Sequence, residues 1–218
     1  MATQSTKVNG HKSLNLSAMI LAGGNATRMG GANKGLVPLY NKPLIAYVLY
    51  KASRMADEVL ISANRDIAAF ESFGYPVLTD KIVDTNGDLI GPLAGFHAGL
   101  TAAKHDLVLF VPCDMPNLPQ HLANLLMQCL LDTQSDIVVV KANNDVIPVV
   151  CLCKKSVLPS LTAYITQGGR KVSTWQKSCV YAELDLTDTY IVDKKGEIID
   201  RGGDFANLNS LQDIKDYE

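Results

Sequence analysis

The segment from residue 21 to residue 35 carries the residue types that bind phosphate groups. It holds five glycines and two cations, Arg28 and Lys34. Glycine lacks a Cβ, so its backbone can approach a ligand closely and direct N–H groups at phosphate oxygens. Lys34 is followed by Gly35, where a Walker A loop has Ser or Thr. The segment therefore predicts a different kind of nucleoside triphosphate site and nucleotide transfer, with an ordinary glycine-rich turn as the structural alternative.

Asp114 is the second residue with an evident chemical role. It follows a strongly apolar run, residues 107–111, and is flanked by Pro112 and Pro116. A carboxylate at the end of a buried strand suits Mg²⁺, which takes few protein ligands beside phosphate oxygens. The alternative is that Asp114 caps a helix beginning near Pro119. The phosphate-binding segment favours the metal, so we predict a Mg²⁺ site on Asp114.

Three polar side chains follow other apolar runs. Asp80 could accept hydrogen bonds from a guanine base or a ribose, or could pair with Lys81 in a loop. Ser62 and Asn64 could supply further contacts to the base or ribose, although Asn64 suits a turn equally well.

Asn207 and Asn209 stand two residues apart, so they share one face if the chain there is extended. They could complete the metal site or hold a phosphate. The alternative is that Asn209 or Ser210 is the N-cap of the last helix.

The elements that must position these residues follow an alternating α/β pattern. Short apolar runs alternate with segments of helical spacing, which predicts a mainly parallel sheet with helices on both faces. Ligands of such sheets bind at the carboxyl ends of the strands, near the point where the strand order reverses. The predicted strands are 17–22, 58–62, 75–78, 107–111 and 136–140, and the predicted helices are 44–54, 66–73, 92–104 and 119–131.

Beyond residue 140 the alternation is less regular. Two cations, Arg170 and Lys171, follow a pair of glycines in a predicted turn. The remaining predicted elements are strands at 146–152 and 180–186, helices at 154–166 and 211–217, and a hairpin at 191–199.

Length and composition predict one globular domain. The chain has 218 residues, 47% hydrophobic and 19% charged, and a net charge of −2, which argues against nucleic acid or an anionic membrane as partner. Residues 1–15 are a predicted ragged leader before a single domain at 16–218. Five cysteines, without a CxxC pair, fit a reducing cytoplasm better than a disulfide framework or zinc site. Cys151 and Cys153 are predicted to be buried on one face of a strand.

The ordered motifs resemble those of the molybdenum cofactor guanylyltransferases, enzymes that join GMP to molybdopterin. The resemblance runs from about Ser17 to the C-terminus. Its motifs are LAGGNATRMGGANKGL at 21–36, NKPLI at 41–45, SANR at 62–65, LTD at 78–80, GPLAG at 91–95, PCDMP at 112–116, GGRKV at 168–172 and FANLNS at 205–210.

The resemblance implies a Rossmann-like nucleotidyltransferase fold, GTP and molybdopterin as substrates, and Mg²⁺ on Asp114. It implies that Arg28, Lys34 and Asp114 are the catalytic residues. Molybdoenzymes or their chaperones are the implied recipients of the product. The implied GTP contacts are Leu21, Ala22, Gly23, Gly24, Lys34, Ser62, Asn64, Asp80 and Asp114, and the candidate molybdopterin contacts are Arg28, Arg170, Lys171, Asn207 and Asn209.

Three residues depart from the family pattern. Asn33 stands where an aspartate usually precedes the lysine, Ser62 where an asparagine is common, and Ile147 where a polar residue often precedes the proline. The stretch 183–204 is longer than usual and predicts a peripheral hairpin.

Two other functions fit parts of the same pattern. A cytidylyltransferase acting on molybdopterin or another phosphorylated acceptor would share the glycine-rich segment, although the adjacent glycines before Ala32 favour the guanylyl branch. A non-catalytic adaptor would hand the cofactor to apo-enzymes, but it would not need both Lys34 and Asp114.

Overall fold

The computed structural model describes residues 14–23, 33–79, 82, 90–187, 190–192, 198–201, 205 and 213. Its helices are α1 (Leu44–Met55), α2 (Ile67–Glu71), α3 (Pro92–Ala102), α4 (Leu122–Thr133), α5 (Leu158–Thr166) and α6 (Val172–Gln176), with 3-10 turns at Lys34–Leu36 and Lys155–Val157. Its strands are β1 (Leu16–Leu21), β2 (Pro38–Leu39), β3 (Lys42–Pro43), β4 (Glu58–Ser62), β5 (Val77–Leu78), β6 (Leu107–Pro112), β7 (Ile137–Ala142), β8 (Asp145–Lys154), β9 (Tyr181–Asp185), β10 (Tyr190–Val192) and β11 (Ile198–Arg201).

Seven strands form the main sheet, in the order β5-β4-β1-β6-β8-β7-β9. Strand β1 pairs in parallel with both β4 and β6, and β4 pairs in parallel with β5. From β1 the chain moves outward to β4 and β5 and then returns to place β6 on the other side. The strand order therefore reverses beside β1, and in open α/β sheets this is where ligands bind.

Helices cover both faces of the sheet, so the predicted α/β fold is confirmed. Helices α1, α2 and α4 pack on one face, where Ile45, Phe70 and Leu126 are buried. Helices α3, α5 and α6 pack on the other, where Phe96 and Trp175 are fully buried. Both faces of the central strands are apolar because each faces a helical layer.

Several elements differ from the prediction. Strand β8 runs antiparallel between β6 and β7. Helix α4 begins at Leu122 and not near Pro119, and the predicted helix at 154–166 starts as a 3-10 turn before α5. The β2–β3 hairpin and α6 were not predicted, because elements of two to five residues are too short to show a period.

Other predictions are confirmed or fall outside the described residues. The hairpin predicted at 191–199 is present as the antiparallel pair β10–β11. Cys151 and Cys153 are fully buried in β8 with their sulfurs 3.7 Å apart, as predicted for small core residues. The terminal helix at 211–217 and the leader at 1–15 lie largely outside the described residues. Within the described part of the chain, every helix is too short or too polar to span a bilayer.

The amino end of the sheet is held by a partly buried acidic group, the carboxylate of Glu58. Ser17 is fully buried in β1 and donates to the Glu58 carboxylate at 2.6 Å, and the Lys104 amide donates to the same oxygen at 2.8 Å. Burial raises the pKa of Glu58, but these hydrogen bonds and the Lys104 ammonium outweigh it, so the pKa stays below its ordinary value.

We predict that Glu58→Gln lowers the free energy of unfolding by about 1.5 kcal/mol at pH 7, the lower end of the usual range for hydrogen bonds to a charged group. Because the folded-state pKa is depressed, this stabilisation is present above the unfolded-state pKa near 4.5 and is lost as the pH falls through the lower folded value. Urea unfolding of both proteins between pH 7 and pH 3 measures it. The difference should close towards pH 3, and the exposed Glu71→Gln variant should match wild type throughout.

Candidate active site

The carboxyl ends of β4, β1 and β6 meet at one edge of the sheet, which we call the carboxyl rim. Leu21 pairs with Ser62 on one side and with Pro112 on the other. Just beyond, the Ala22 amide donates to the Ser62 carbonyl at 2.8 Å, and the Cys113 amide donates to the Leu21 carbonyl at 3.1 Å. The rim thus brings together the starts of three predicted ligand segments.

Lys34 and Asp114 form an ion pair at this rim, although they are 80 residues apart in the sequence. The Lys34 ammonium donates to Asp114 Oδ2, and the Asp114 side chain is only 9% exposed. The other carboxylate oxygen, Oδ1, is buried and has no hydrogen-bond partner among the described residues. Buried carboxylate oxygens are normally satisfied. Asp114 Oδ1 therefore has room for one more partner, and a bound cation would supply it.

Gly35 allows the ion pair to form. A Cβ on Gly35 would lie 3.1 Å from Cys113 Sγ and 3.4 Å from the Phe70 ring, so the backbone packs directly against the residue before Asp114. Burial, and next the negative charge of Asp114, raise the pKa of the Cys113 thiol well above its ordinary value. Cys113 therefore stays a neutral packing residue and is not a nucleophile.

Ser62 lies behind the rim and not on its surface. Ser62 is only 1% exposed. A Cβ added to Gly95 would lie 3.0 Å from Ser62 Oγ and 2.8 Å from Leu21 Cδ2, so there is no room for a side chain at Gly95. The first half of α3 therefore packs tightly on the ends of β1 and β4. Asn64, two residues further, is partly exposed.

Asp114 does not cap α4. The N-cap of that helix is His121, seven residues further along the chain. The capping alternative for Asp114 therefore does not apply, and the carboxylate is held by Lys34.

Arg170 and Lys171 lie on the turn at residues 168–171, which joins α5 to α6. Strand β8 is antiparallel to β6 and ends at the opposite edge, so the chain of α5 runs back along the sheet in the direction of the carboxyl rim before it enters this turn. Both residues are exposed. The side-chain amide of Gln176, in α6, donates through Nε2 to the Pro148 carbonyl at 2.8 Å. This hydrogen bond fixes α6 to the first half of β8, which lies nearer the carboxyl rim.

Five of the predicted site residues lie outside the described residues: Gly24, Arg28, Asp80, Asn207 and Asn209. Phe205, two residues before Asn207, is described and is buried in the same hydrophobic cluster as Cys113 and Met115.

Sequence reasoning missed the residues that support the site from behind. Gly35 was predicted to be one of the glycines that bind phosphate. In the structure its backbone packs against the Cys113 side chain. Tyr164, which packs under the turn at residues 168–171, was not predicted to take part. The signal in the sequence was an aromatic residue, Tyr164, five residues before Gly169, a spacing that lets the ring pack on the backbone after the helix end.

We predict that Lys34→Met lowers the free energy of unfolding by about 2 kcal/mol, because it leaves a buried carboxylate uncompensated. The figure is below the range for fully buried pairs because the Lys34 side chain is 22% exposed. Adding Asp114→Asn should restore most of the loss, since the second change removes the uncompensated charge. Urea unfolding at pH 7 measures wild type, Lys34→Met and the double variant.

The matched control is Lys104→Met, whose ion-pair partner is Glu58 and whose side chain is 80% exposed. Its effect should stay below about 0.5 kcal/mol, as for surface pairs. A Lys34→Met protein as stable as this control would mean that the ion pair does not compensate Asp114.

Known proteins share both the sequence and the fold. Residues 18–180 match the model of the MobA-like NTP transferase domain. A molybdenum cofactor guanylyltransferase of Cupriavidus metallidurans is 36% identical over 208 residues, 93% of this chain and 94% of that relative. One of Vibrio parahaemolyticus is 41% identical over 201 residues, 92% and 94% of the two chains.

A solved structure agrees at the level of the fold. The crystal structure of molybdopterin-guanine dinucleotide biosynthesis protein A from Archaeoglobus fulgidus superposes with a TM-score of 0.71 at 22% identity, covering 93% of this chain and 96% of that one. With identities of 36% to 41% over more than nine tenths of its length, the chain belongs to the molybdenum cofactor guanylyltransferase family of nucleotidyltransferases, within the MobA-like NTP transferase domain.

Proposed function

We propose that the protein transfers GMP from GTP to the terminal phosphate of molybdopterin, forming the guanine dinucleotide cofactor and releasing pyrophosphate. The observation that carries the proposal is the meeting of Lys34 and Asp114 at the point where the strand order reverses. The relatives over nearly the full chain, which are named molybdenum cofactor guanylyltransferases, support the choice of nucleotide and acceptor.

In the proposed reaction, a terminal phosphate oxygen of molybdopterin attacks the α-phosphorus of GTP. The bond from that phosphorus to the oxygen bridging the α- and β-phosphates breaks, and the electron pair leaves with pyrophosphate. A phosphate dianion is already a nucleophile near neutral pH, so the protein need not remove a proton. Its task is to position the two phosphates and to neutralise their charge.

Asp114 is the residue that would hold a Mg²⁺ ion. Its Oδ1 is buried and has no partner among the described residues, and carboxylate oxygen is the ligand that this hard cation prefers. The described residues contain no cluster of three potential metal ligands, so phosphate oxygens, water and Asn207 or Asn209 are the proposed remaining ligands. When bound, the ion supplies neutralisation of charge across the phosphates.

Lys34 and the glycine-rich backbone would hold the β- and γ-phosphates. The Ala22 amide already donates to Ser62, so we propose that phosphate-binding amides begin at Gly23 and continue through Gly24. Leu21 and Ala22 would then form the wall beneath the nucleotide. Lys34 would exchange the carboxylate of Asp114 for phosphate oxygens and would stabilise the departing pyrophosphate.

The proposed base site lies beside the ends of β4 and β5. Ser62 is too deeply buried to reach a base, so its proposed role is to pack under α3 and to hold the Ala22 amide. Asn64, which is partly exposed, and Asp80 are the proposed contacts to guanine or ribose.

The acceptor would lie on the β8 side, held by Arg170 and Lys171, with Arg28, Asn207 and Asn209 as further contacts. Phe205, two residues before Asn207, is buried in the same hydrophobic cluster as Cys113, and this supports the choice of the two asparagines as candidates. Recipient molybdoenzymes or their chaperones, and a cytoplasmic location where GTP is available, complete the proposal.

We predict that Asp114→Asn lowers the rate of GMP transfer by at least about 10²-fold, the usual cost of losing one charge-stabilising group. The matched control is Asp106→Asn, an exposed residue just before the other end of β6. Mass detection of the dinucleotide, with each of the four triphosphates in turn, measures both variants. Transfer by Asp114→Asn at the wild-type rate contradicts the assignment of Asp114, a product with CTP alone indicates a cytidylyltransferase, and no product with any triphosphate indicates an adaptor.

We also predict that GTP and Mg²⁺ bind more tightly together than either does alone. A nucleotide that takes Lys34 leaves Asp114 uncompensated, whereas the nucleotide and metal together satisfy both charges. Calorimetric titration should give GTP affinity about tenfold higher with Mg²⁺ than with EDTA, within the usual range of coupling energies. Equal affinity in both buffers would contradict this coupling.

A further inference from the structure

Both the backbone carbonyl and the side chain of Tyr164 contact the turn at residues 168–171. The Gly169 amide donates to the Tyr164 carbonyl at 2.9 Å. The Tyr164 hydroxyl donates to the Lys171 carbonyl at 3.2 Å and accepts from the Lys171 amide at 3.4 Å. Tyr164 therefore contacts the backbone at both ends of the Gly169–Lys171 stretch.

The two glycines fit this arrangement in different ways. Gly168 has a φ of +85°, a conformation that glycine adopts without strain at the end of a helix. Gly169 lacks the Cβ that would lie 2.4 Å from the Tyr164 ring. The backbone at Gly169 thus lies directly on the ring, and any side chain there would have to push the ring aside.

The far end of α6 is fixed independently of Tyr164. Trp175 is fully buried and meets the Phe96 ring edge-on at 5.7 Å, and Gln176 donates to Pro148. The start of α6 is anchored by Val172, which is buried in the same cluster as Trp175. Between this anchor and the end of α5, the ring and hydroxyl of Tyr164 contact the backbone at Gly169 and Lys171, on either side of Arg170.

We infer that Tyr164 is a positioning residue for the acceptor substrate, and that it acts by fixing the backbone from which Arg170 and Lys171 extend. The inference rests on the proposed function, in which these two cations hold the phosphate of molybdopterin. Tyr164 does not touch the substrate in this role. Its removal should therefore change the affinity for the acceptor and leave the GTP site at Lys34 and Asp114 unchanged.

The test is a double-mutant cycle between Tyr164 and Gly169, with KM measured separately for molybdopterin and for GTP. Tyr164→Ala and Gly169→Ala should each raise the KM for molybdopterin about fivefold to tenfold, the effect of misplacing one or two hydrogen bonds. Neither should change the KM for GTP by more than about twofold. Tyr164→Phe, which keeps the ring, should fall between wild type and Tyr164→Ala.

The double variant separates positioning from a general loss of structure. With the ring removed, the added methyl group of Gly169→Ala has nothing to displace, so the double variant should equal Tyr164→Ala alone. Effects that multiply, or a parallel rise in the KM for GTP, would overturn the inference. Thr162→Ala, an exposed change on the same helix, is the control and should match wild type.

The variants Arg170→Ala and Lys171→Ala test separately whether the two cations bind molybdopterin and whether Tyr164 positions them. If both leave the KM for molybdopterin unchanged, the proposed role of the turn fails, and the inference fails with it. If either raises that KM while the Tyr164 and Gly169 variants behave as wild type, the proposed role holds and the inference about Tyr164 is wrong.

Discussion

The ion pair between Lys34 and Asp114 is the contact on which the arrangement of the site depends. One partner follows the glycine-rich segment after β1 and the other follows β6, so the pair forms only because these strands are neighbours in parallel. A buried carboxylate is tolerated when a cation compensates it, and it is strongly destabilising when left alone. The fold thus holds at the rim two charges that satisfy each other. In the proposed function, a metal–nucleotide complex would separate them without leaving either charge uncompensated.

Close approach of backbone to neighbouring side chains recurs wherever the site is built. Gly35 packs against Cys113, Gly95 against Leu21, and Gly169 against the Tyr164 ring. In each case a missing Cβ sets a distance that a larger residue would increase. Glycine is often interpreted through its conformational freedom, but at these three positions the requirement is space. Gly35 and Gly95 let the 3-10 turn and α3 pack against residues of the rim, whereas Gly169 lets the turn at residues 168–171 pack on Tyr164.

The sequence predicted the central strands well, because an apolar run of five or six residues bounded by polar positions is typical of a buried strand. It could not predict the direction of β8, since a strand covered on both faces is apolar whichever way it runs. The rim residues were predicted from their places after strands, and Lys34 and Asp114 do meet. The burial of Ser62 was beyond prediction, because it depends on the absence of a side chain at Gly95, 33 residues away.

The antiparallel direction of β8 sets the direction of the helix that leads into Arg170 and Lys171. Because β8 ends at the edge away from the carboxyl rim, α5 runs back along the sheet, so its C-terminal end is the end nearer the rim. Arg170 and Lys171 follow the C-terminus of α5, which favours cations, and precede the N-terminus of α6, which does not, so the helix dipoles do not account for both of them. Tyr164 contacts Lys171 and Gln176 contacts Pro148, so the backbone on either side of the two cations is held, and their proposed role towards the acceptor depends on this.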